Sequence, residues 1–261
     1  MQKAHMPKTV APALKALLDS FIDYAGIFPP AKLSLDAAIG NFKDYQNGEY
    51  SWMLHWLVIG ADQAKVAPNS LDALISIVAD NDDGRAAAIE TKSIIVAQKP
   101  VYCEATPGDT QQLDAIKKSN CFAKIRTGGL KPEAIPSTST VAAFITDCAD
   151  RKLAFKATAG LHHPIRAMHP LTYELDAPHA VMHGFINVLL ASSFAWHGER
   201  DIEPIIAETD ATNFRFDETA YWRGKSLSGA QIQEARRDFI HSVGSCSFDE
   251  PVHDLQALGF L

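Results

Sequence analysis

Short apolar runs alternate with amphipathic segments along almost the whole chain, and this alternation constrains the fold more than any other feature. Apolar runs bounded by turn residues are typical of strands buried in a parallel sheet, and the segments between them have helical spacing. The predicted strands are FIDYAGIF (21–28), SWMLHWLVIG (51–60), ALISIVAD (73–80), PVYCEAT (100–106), FAKIRTGG (122–129), LAFKATAG (153–160), IEPIIAE (202–208) and NFRFDETAYW (213–222).

The segments between the strands carry residues that favour helix starts. Ser34, Asp109 and Ser137 are typical N-terminal caps, and Pro178 suits a first helical position. The predicted helices are an N-terminal helix within residues 1–21, LSLDAAIGNFKDYQ, GRAAAIETKSIIVAQ, DTQQLDAIKKS, TSTVAAFITDCADRK, APHAVMHGFINVLLASSFAWH, SGAQIQEARRDFIHS and a short one in the tail GSCSFDEPVHDLQALGFL.

Eight strands with mostly intervening helices predict an α/β fold, a (β/α)8 barrel of the TIM type. Residues 1–261 are expected to form one domain, with an N-terminal helix and a C-terminal tail outside the barrel. A doubly wound open sheet is the alternative, because it is built from the same alternation.

Charge and composition narrow the range of partners. The formal net charge is −7 and no block of Lys and Arg occurs, which argues against nucleic acid. No apolar run reaches the roughly 18 residues of a membrane span. The four cysteines are widely spaced, and the first residues lack the apolar core of a signal peptide. We expect a cytoplasmic protein that binds a small anionic metabolite, with a homo-oligomer left open.

Polar side chains gather near the ends of three successive predicted strands. The residues that share a face are Tyr102 and Glu104 on the fourth, Lys124 and Arg126 on the fifth, and Lys156 and Thr158 on the sixth, with His162 just beyond. Active sites of such barrels lie at the carboxyl ends of the strands. The cluster therefore predicts a substrate site, or a structural ion pair in which Glu104 neutralises Lys156 or Lys124.

The segment KIRTGG adds a glycine pair to this group. Backbone amides at Gly128 and Gly129 can approach an anion, and Arg126 can add a planar two-pronged contact. The same pair is also typical of a tight turn from strand to loop.

Histidines are concentrated after the sixth predicted strand. Six of the ten fall between positions 162 and 197. His162 and His163 begin the loop, and His179 and His183 are four apart, so they share one face of a predicted helix. Such a set can bind zinc, manganese or iron, with Glu104 or an aspartate as a further ligand, or it can simply pack and cap.

FKATAG, residues 155–160, resembles the Lys-Thr-Ser-Thr-Gly strand of deoxyribose-phosphate aldolases and, more loosely, other class I aldolase barrels. In that family the lysine on the sixth strand forms a Schiff base, and the resemblance implies this role for Lys156. The family has a second lysine on the seventh strand, where IEPIIAE has none, and an aspartate on the fourth, where this chain has Glu104. Lys124 is a candidate for the missing lysine.

Three functions are consistent with these features. The first is an aldolase-like lyase without a cofactor, in which Lys156 is the nucleophile, Glu104 or His162 moves the proton, and Lys124 with Arg126 binds the anion. The second is a hydrolase or lyase that uses a divalent metal bound by the histidine-rich loop. The third is a barrel that binds a small ligand without catalysis.

Overall fold

The computed structural model describes residues 10–82 and 84–261, and eight parallel strands close into a barrel within them. The barrel strands are β1 (Ile22–Tyr24), β2 (Leu54–Gly60), β3 (Ile75–Val78), β4 (Ala88–Thr91), β5 (Val101–Glu104), β6 (Phe122–Arg126), β7 (Phe155–Thr158) and β13 (Ile240–Ser245). Strand β1 pairs with both β2 and β13, which closes the sheet. The predicted (β/α)8 barrel is confirmed.

Helices surround the barrel, and three of them begin at the predicted caps. The side chains of Ser34, Asp109 and Ser137 each accept a backbone N–H of the first turn. The helices are α1 (Pro12–Leu18), α2 (Leu35–Gln46), α3 (Ala61–Val66), α4 (Thr110–Lys118), α5 (Thr138–Asp150), α6 (Phe185–Trp196), α7 (Glu203–Ala207), α8 (Gly229–Asp238) and α9 (Asp249–Ala257). Helix α1 represents the predicted N-terminal helix, of which residues 1–9 lie outside the described residues.

Two small antiparallel sheets interrupt the βα order in the second half of the chain. Strands β8 (Ala167–Pro170) and β9 (His179–Met182) form a hairpin after β7. Strands β10 (Phe214–Phe216), β11 (Thr219–Trp222) and β12 (Lys225–Ser228) form a three-stranded sheet before α8. Both therefore lie between the seventh barrel strand and the last.

The prediction missed two of the eight barrel strands, and the first of them is β4. Residues 84–98 are not a helix, because Ala88–Thr91 pairs in parallel with β3 and β5 as strand β4. Alanine and glutamate favour helices, but pairing within the barrel overrides that preference. The predicted fourth, fifth and sixth strands are consequently the fifth, sixth and seventh of the barrel.

The predictions for the last third of the chain also need correction. IEPIIAE is helix α7, with Pro204 in its first turn, and not a strand. NFRFDETAYW forms β10 and β11, outside the barrel, and the eighth barrel strand is β13. The start of β13 was assigned to the end of the preceding helix. The helix predicted over residues 177–197 begins only at Phe185, because strand β9 occupies its first part, so Pro178 starts no helix.

The apolar core lies between the barrel and its helices, whereas the barrel interior contains charge. Fully buried rings such as Phe144 and Phe155 fill the outer layer. Helix α6 is buried from Phe185 to Ala195, as expected for a helix that is apolar on nearly every side. Within the described ranges, no helix is long and apolar enough to cross a membrane.

Candidate functional site

A cavity of about 490 Å³ opens at the carboxyl ends of the barrel strands. Its volume lies within the range of roughly 300–1,000 Å³ that is usual for small-molecule sites. The predicted site residues that line it are Glu104, Lys124, Arg126, Gly129, Thr158 and His162. They lie on neighbouring strands and the loops that follow, so the barrel brings most of the predicted site to one mouth.

Lys156 does not line this cavity. Its side chain is fully buried, and Nζ donates to Asp23 Oδ2 and, at 2.6 Å, to Glu90 Oε1. Asp23 also accepts from Ser242 Oγ at 2.6 Å and from His55 Nδ1 at 2.7 Å. Lys156 is therefore the centre of a buried ion-pair network that joins β1, β4 and β7.

Each charged group in this network keeps its charge. Burial is the largest single effect and would raise the pKa of Asp23 and of Glu90. Lys156 acts together with His55 on Asp23 and with Lys124 on Glu90, and these positive partners hold both pKa values below their usual range. Burial would lower the pKa of Lys156, but Asp23 and Glu90 outweigh it and raise that pKa. A fully buried ammonium whose pKa is raised by two close carboxylates is a poor nucleophile, because addition to a carbonyl needs the neutral amine.

Lys124 lines the floor of the cavity, two residues before Arg126 on the neighbouring strand β6. Its side chain is 6% exposed, and Nζ lies 3.4 Å from Glu90 Oε2 and 3.5 Å from Glu104 Oε2. Both contacts are longer than the ion pairs of Lys156, so this ammonium is held less tightly. The predicted ion pair between Lys124 and Glu104 is present, and Lys156 pairs with other carboxylates.

Arg126 and Thr158 line the cavity above the lysines. Arg126 is exposed, and among the described residues no carboxylate forms an ion pair with it. A free guanidinium beside the Lys124 ammonium favours a ligand with a carboxylate or phosphate.

Gly128 shapes the loops at this mouth without lining the cavity. A Cβ at Gly128 would lie 2.9 Å from Gly160 Cα and 3.2 Å from the Ala159 carbonyl oxygen, so the β6 and β7 loops pack backbone to backbone. Gly160 has a φ of 78°, a conformation that favours glycine. Gly128 therefore contributes to packing between the two loops, and Gly129 forms part of the cavity wall.

Gly128→Ala is expected to lower the free energy of unfolding by about 1–3 kcal/mol, because two backbones would have to separate. Urea denaturation of the variant measures this. Gly40→Ala is the matched control, since nothing lies within 4 Å of a Cβ built at that exposed position in α2. It should raise stability by roughly 0.5–1 kcal/mol. Equal stabilities of the two variants would show that the loops are not in contact.

His162 is the histidine that reaches the cavity. Its Nδ1 lies 3.0 Å from Ser245 Oγ and 3.8 Å from Cys246 Sγ. Burial, with repulsion from neighbouring histidines, lowers the pKa of His162 to about 4, so its ring is neutral at neutral pH and can accept a proton. Burial raises the pKa of the Cys246 thiol to about 11, which keeps it protonated.

The other predicted metal ligands face different partners. His163 donates to Asp254 at 2.6 Å, His179 donates to the Ala177 carbonyl at 3.0 Å, and His183 donates to a backbone carbonyl at 2.8 Å. His179 lies on strand β9, so the predicted helical face shared with His183 is wrong. In residues 10–82 and 84–261 no group of three or more His, Cys, Asp or Glu side chains is placed to hold a metal ion.

Two carboxylates of this site were not among the predicted site residues. Glu90 was missed because its strand was predicted as a helix. Asp23 is buried within the apolar run FIDYAGIF, and a carboxylate in such a run is itself a signal of a buried partner.

Comparison with known proteins adds no family to these observations. No family model, curated protein or solved structure gives a significant match to this chain.

Proposed function

We propose that this protein is an enzyme that performs aldolase-like chemistry on a small carbonyl metabolite bearing a carboxylate or phosphate, with Lys124 as the reacting amine. The observation that carries the proposal is the position of Lys124 Nζ, on the cavity floor within 3.5 Å of Glu90 and Glu104. Lys156, to which the sequence assigned this role, is fully buried and does not line the cavity.

The corrected strand order supports this choice. In the aldolase family that FKATAG resembles, the Schiff-base lysine is on the sixth strand, the second lysine on the seventh, and the acidic residue on the fourth. In this barrel Lys124 is on the sixth strand, Lys156 on the seventh and Glu90 on the fourth. Lys124 and Lys156 are also direct partners in the β6–β7 register. FKATAG itself lies on the seventh strand, so the analogy rests on strand positions and not on that motif.

The surrounding groups suit each step of Schiff-base formation. Glu104 accepts a proton from the Lys124 ammonium, and the neutral amine adds to the carbonyl carbon. The carbinolamine hydroxyl takes up that proton and leaves as water, so the ammonium and the carbonyl together become an iminium and water. The iminium has the same single positive charge as the ammonium, and Glu90 is placed to stabilise both.

The iminium then serves as an electron sink for the bond next to it. Glu104 takes the proton of the hydroxyl on the departing carbon, the carbon–carbon bond breaks to release that fragment as an aldehyde, and the electron pair of the bond converts the iminium to an enamine. The protonated Glu104 returns the proton to the enamine carbon, and water hydrolyses the resulting iminium to the second carbonyl product and the Lys124 ammonium. Glu104, whose side chain is 26% exposed, and the neutral ring of His162 are the proton carriers in the cavity wall. Arg126 binds the anionic group of the substrate and sets its orientation.

Reduction with borohydride tests the proposal. Wild-type protein is incubated with a panel of small anionic carbonyl compounds, including a 2-oxo acid and a triose phosphate, and then reduced. A reduced adduct blocks trypsin, so reaction at Lys124 is expected to yield a modified peptide of residues 119–126, SNCFAKIR. Mass spectrometry locates the added mass.

The same tryptic digest distinguishes reaction at Lys124 from reaction at Lys156. Reaction at Lys156 would instead modify the peptide of residues 153–166, LAFKATAGLHHPIR, and would move the chemistry to the buried network. The absence of any adduct across the panel would contradict Schiff-base chemistry.

A further inference from the structure

A second cavity opens at the opposite mouth of the barrel, where the strands begin. It has a volume of about 810 Å³. The side chains that line it include five rings and four charged groups: His55, Trp56, Tyr102, Phe122, His241, Lys15, Asp19, Arg236 and Arg237. In barrels of this type the amino-terminal mouth usually contributes stability alone, so an open aromatic cavity there needs a separate explanation.

The rings form connected aromatic walls. His55 and Trp56 stack with centroids 3.9 Å apart, and Phe122 lies 4.9 Å from the ring of His241. Tyr102 packs against Phe122 at 5.3 Å, and its hydroxyl lies 2.8 Å from His241 Nδ1. Flat rings that hold one another in place offer faces and edges to a planar ligand at little cost in side-chain entropy.

Arg236 adds a buried positive charge to these walls. Its guanidinium donates to the backbone carbonyls of Ile240, His241, Asp19 and Ser20, and its Nε has no hydrogen-bond partner. Within the described residues no carboxylate forms an ion pair with it, although a buried cation usually has one. Carbonyl dipoles offset part of the desolvation cost, and Asp19 and Asp23 act on this charge from nearby without forming an ion pair with it.

The other charged residues that line the cavity also have a positive net charge. Lys15 and Arg237 are exposed cations, and Asp19 is the acidic residue that lines the cavity with them. Arg237 is paired with Asp238, so Lys15 and Arg236 are the cations that can attract a ligand. This mouth is therefore both aromatic and positive.

We propose that this cavity is a second binding site, for a small aromatic or heteroaromatic anion. The ring of the ligand packs between Trp56 and Phe122, and its carboxylate or phosphate faces Arg236 and Lys15. The ligand also contacts His55, which donates to the carboxylate that holds Lys156, so the bound molecule adjoins the buried network. The site does not depend on the chemistry proposed for the other mouth.

Four probes separate the contributions of ring and charge. Benzoate and phenyl phosphate have both, cyclohexanecarboxylate has only the charge, and benzyl alcohol has only the ring. Binding is followed through the indole N–H signals of ¹⁵N-labelled protein, with the Trp56 signal assigned by Trp56→Phe. Benzoate or phenyl phosphate is expected to shift the Trp56 signal with a Kd of about 1 mM or below, and the other two probes should bind at least roughly tenfold more weakly.

Lys15→Gln tests the cationic side of the site without touching the barrel, because Lys15 is exposed. It should weaken benzoate binding by about threefold or more. Lys118→Gln, an exposed lysine on α4, is the control and should leave binding unchanged.

Three results would overturn the proposal. The first is an unmoved Trp56 signal with both aromatic anions. The second is equal binding of cyclohexanecarboxylate, which would remove the aromatic requirement. The third is loss of the shift in Arg126→Gln but not in Lys15→Gln, which would place the probes in the carboxyl-end cavity. Each result is read from binding alone, so failure of Schiff-base trapping would not affect it.

Discussion

Replacing Lys156 with methionine is expected to lower the free energy of unfolding at neutral pH by about 3–5 kcal/mol. The substitution removes the ammonium that Asp23 and Glu90 share, and both carboxylates remain inside the barrel. Ser242 and Ser76 then offer hydrogen bonds without charge, and Lys124 at 3.4 Å is the nearest remaining ammonium for Glu90. Urea denaturation of the variant and the wild type measures the difference.

As the pH falls, the stability of the wild type and that of Lys156→Met should change in opposite directions. In the wild type the pKa of Asp23 and that of Glu90 are below their usual values, so their stabilisation is present above about pH 4.5 and is lost as the pH falls further. In Lys156→Met, His55 still acts on Asp23 and Lys124 on Glu90, but burial is the largest effect on each carboxyl, and we expect it to raise both pKa values. The native state then binds more protons than the unfolded chain, and stability should rise as the pH falls from about 7 to about 5.

Lys65→Met is the control for the loss of one lysine. Lys65 pairs with Asp62 on the surface, where exposed ion pairs contribute little, and the variant should unfold like the wild type. Stability of Lys156→Met equal to that of the wild type at neutral pH would show that the two carboxylates are not buried beside it. A site lysine crowded by other cations would produce that result.

The sequence predicted the fold because most of its strands are short apolar runs with turns on both sides. The prediction was wrong where the sequence of a segment favours a helix but the segment pairs with neighbouring strands. Strand β4 lies in an alanine-rich stretch, and only its neighbours β3 and β5 make it a strand. Strand β13 directly follows α8, and the amphipathic pattern continues across the boundary. Both errors arise from non-local pairing, which single-chain periodicity does not contain.

The candidate site was also predicted only in part. The rule that sites form at the carboxyl ends of strands correctly placed Glu104, Lys124 and Arg126 at one mouth. The partners of Lys156 lie 133 and 66 residues away in the chain, on β1 and β4. Which lysine faces the cavity depends on the order and register of the barrel strands. Because strand β4 was missed, each lysine was assigned to a strand one position too early in the barrel.

The charged interior has a cost that function can explain. Barrels of this type usually fill their interior with Val, Ile and Leu. Here four ionised groups, Asp23, Glu90, Lys124 and Lys156, lie inside, and apolar side chains of similar volume would often be at least as stable. The network instead fixes Glu90, which in turn positions the Lys124 ammonium at the cavity floor.

Lys124→Arg is expected to abolish the borohydride adduct and to lower kcat/KM on any substrate found by about 10⁴-fold or more. Arginine keeps the positive charge between Glu90 and Glu104, so the ion pairs that help hold the floor of the cavity are retained. Its guanidinium does not lose a proton in proteins and forms no Schiff base. Binding of an unreactive anionic analogue should remain, because Arg126 is untouched. Trapping, turnover and analogue binding are measured on the same preparation.

Lys92→Arg provides the matched control, because Lys92 is an exposed lysine in the wall of the same cavity. It should retain the adduct on residues 119–126 and keep its turnover within about threefold of the wild type. An adduct that persists in Lys124→Arg and disappears in Lys92→Arg would move the reacting amine to the rim. Loss of both analogue binding and turnover in Lys124→Arg would instead assign Lys124 to anion binding. The substitution removes the nucleophile but keeps its positive charge, so the variant should still bind the unreactive analogue if Lys124 is the nucleophile.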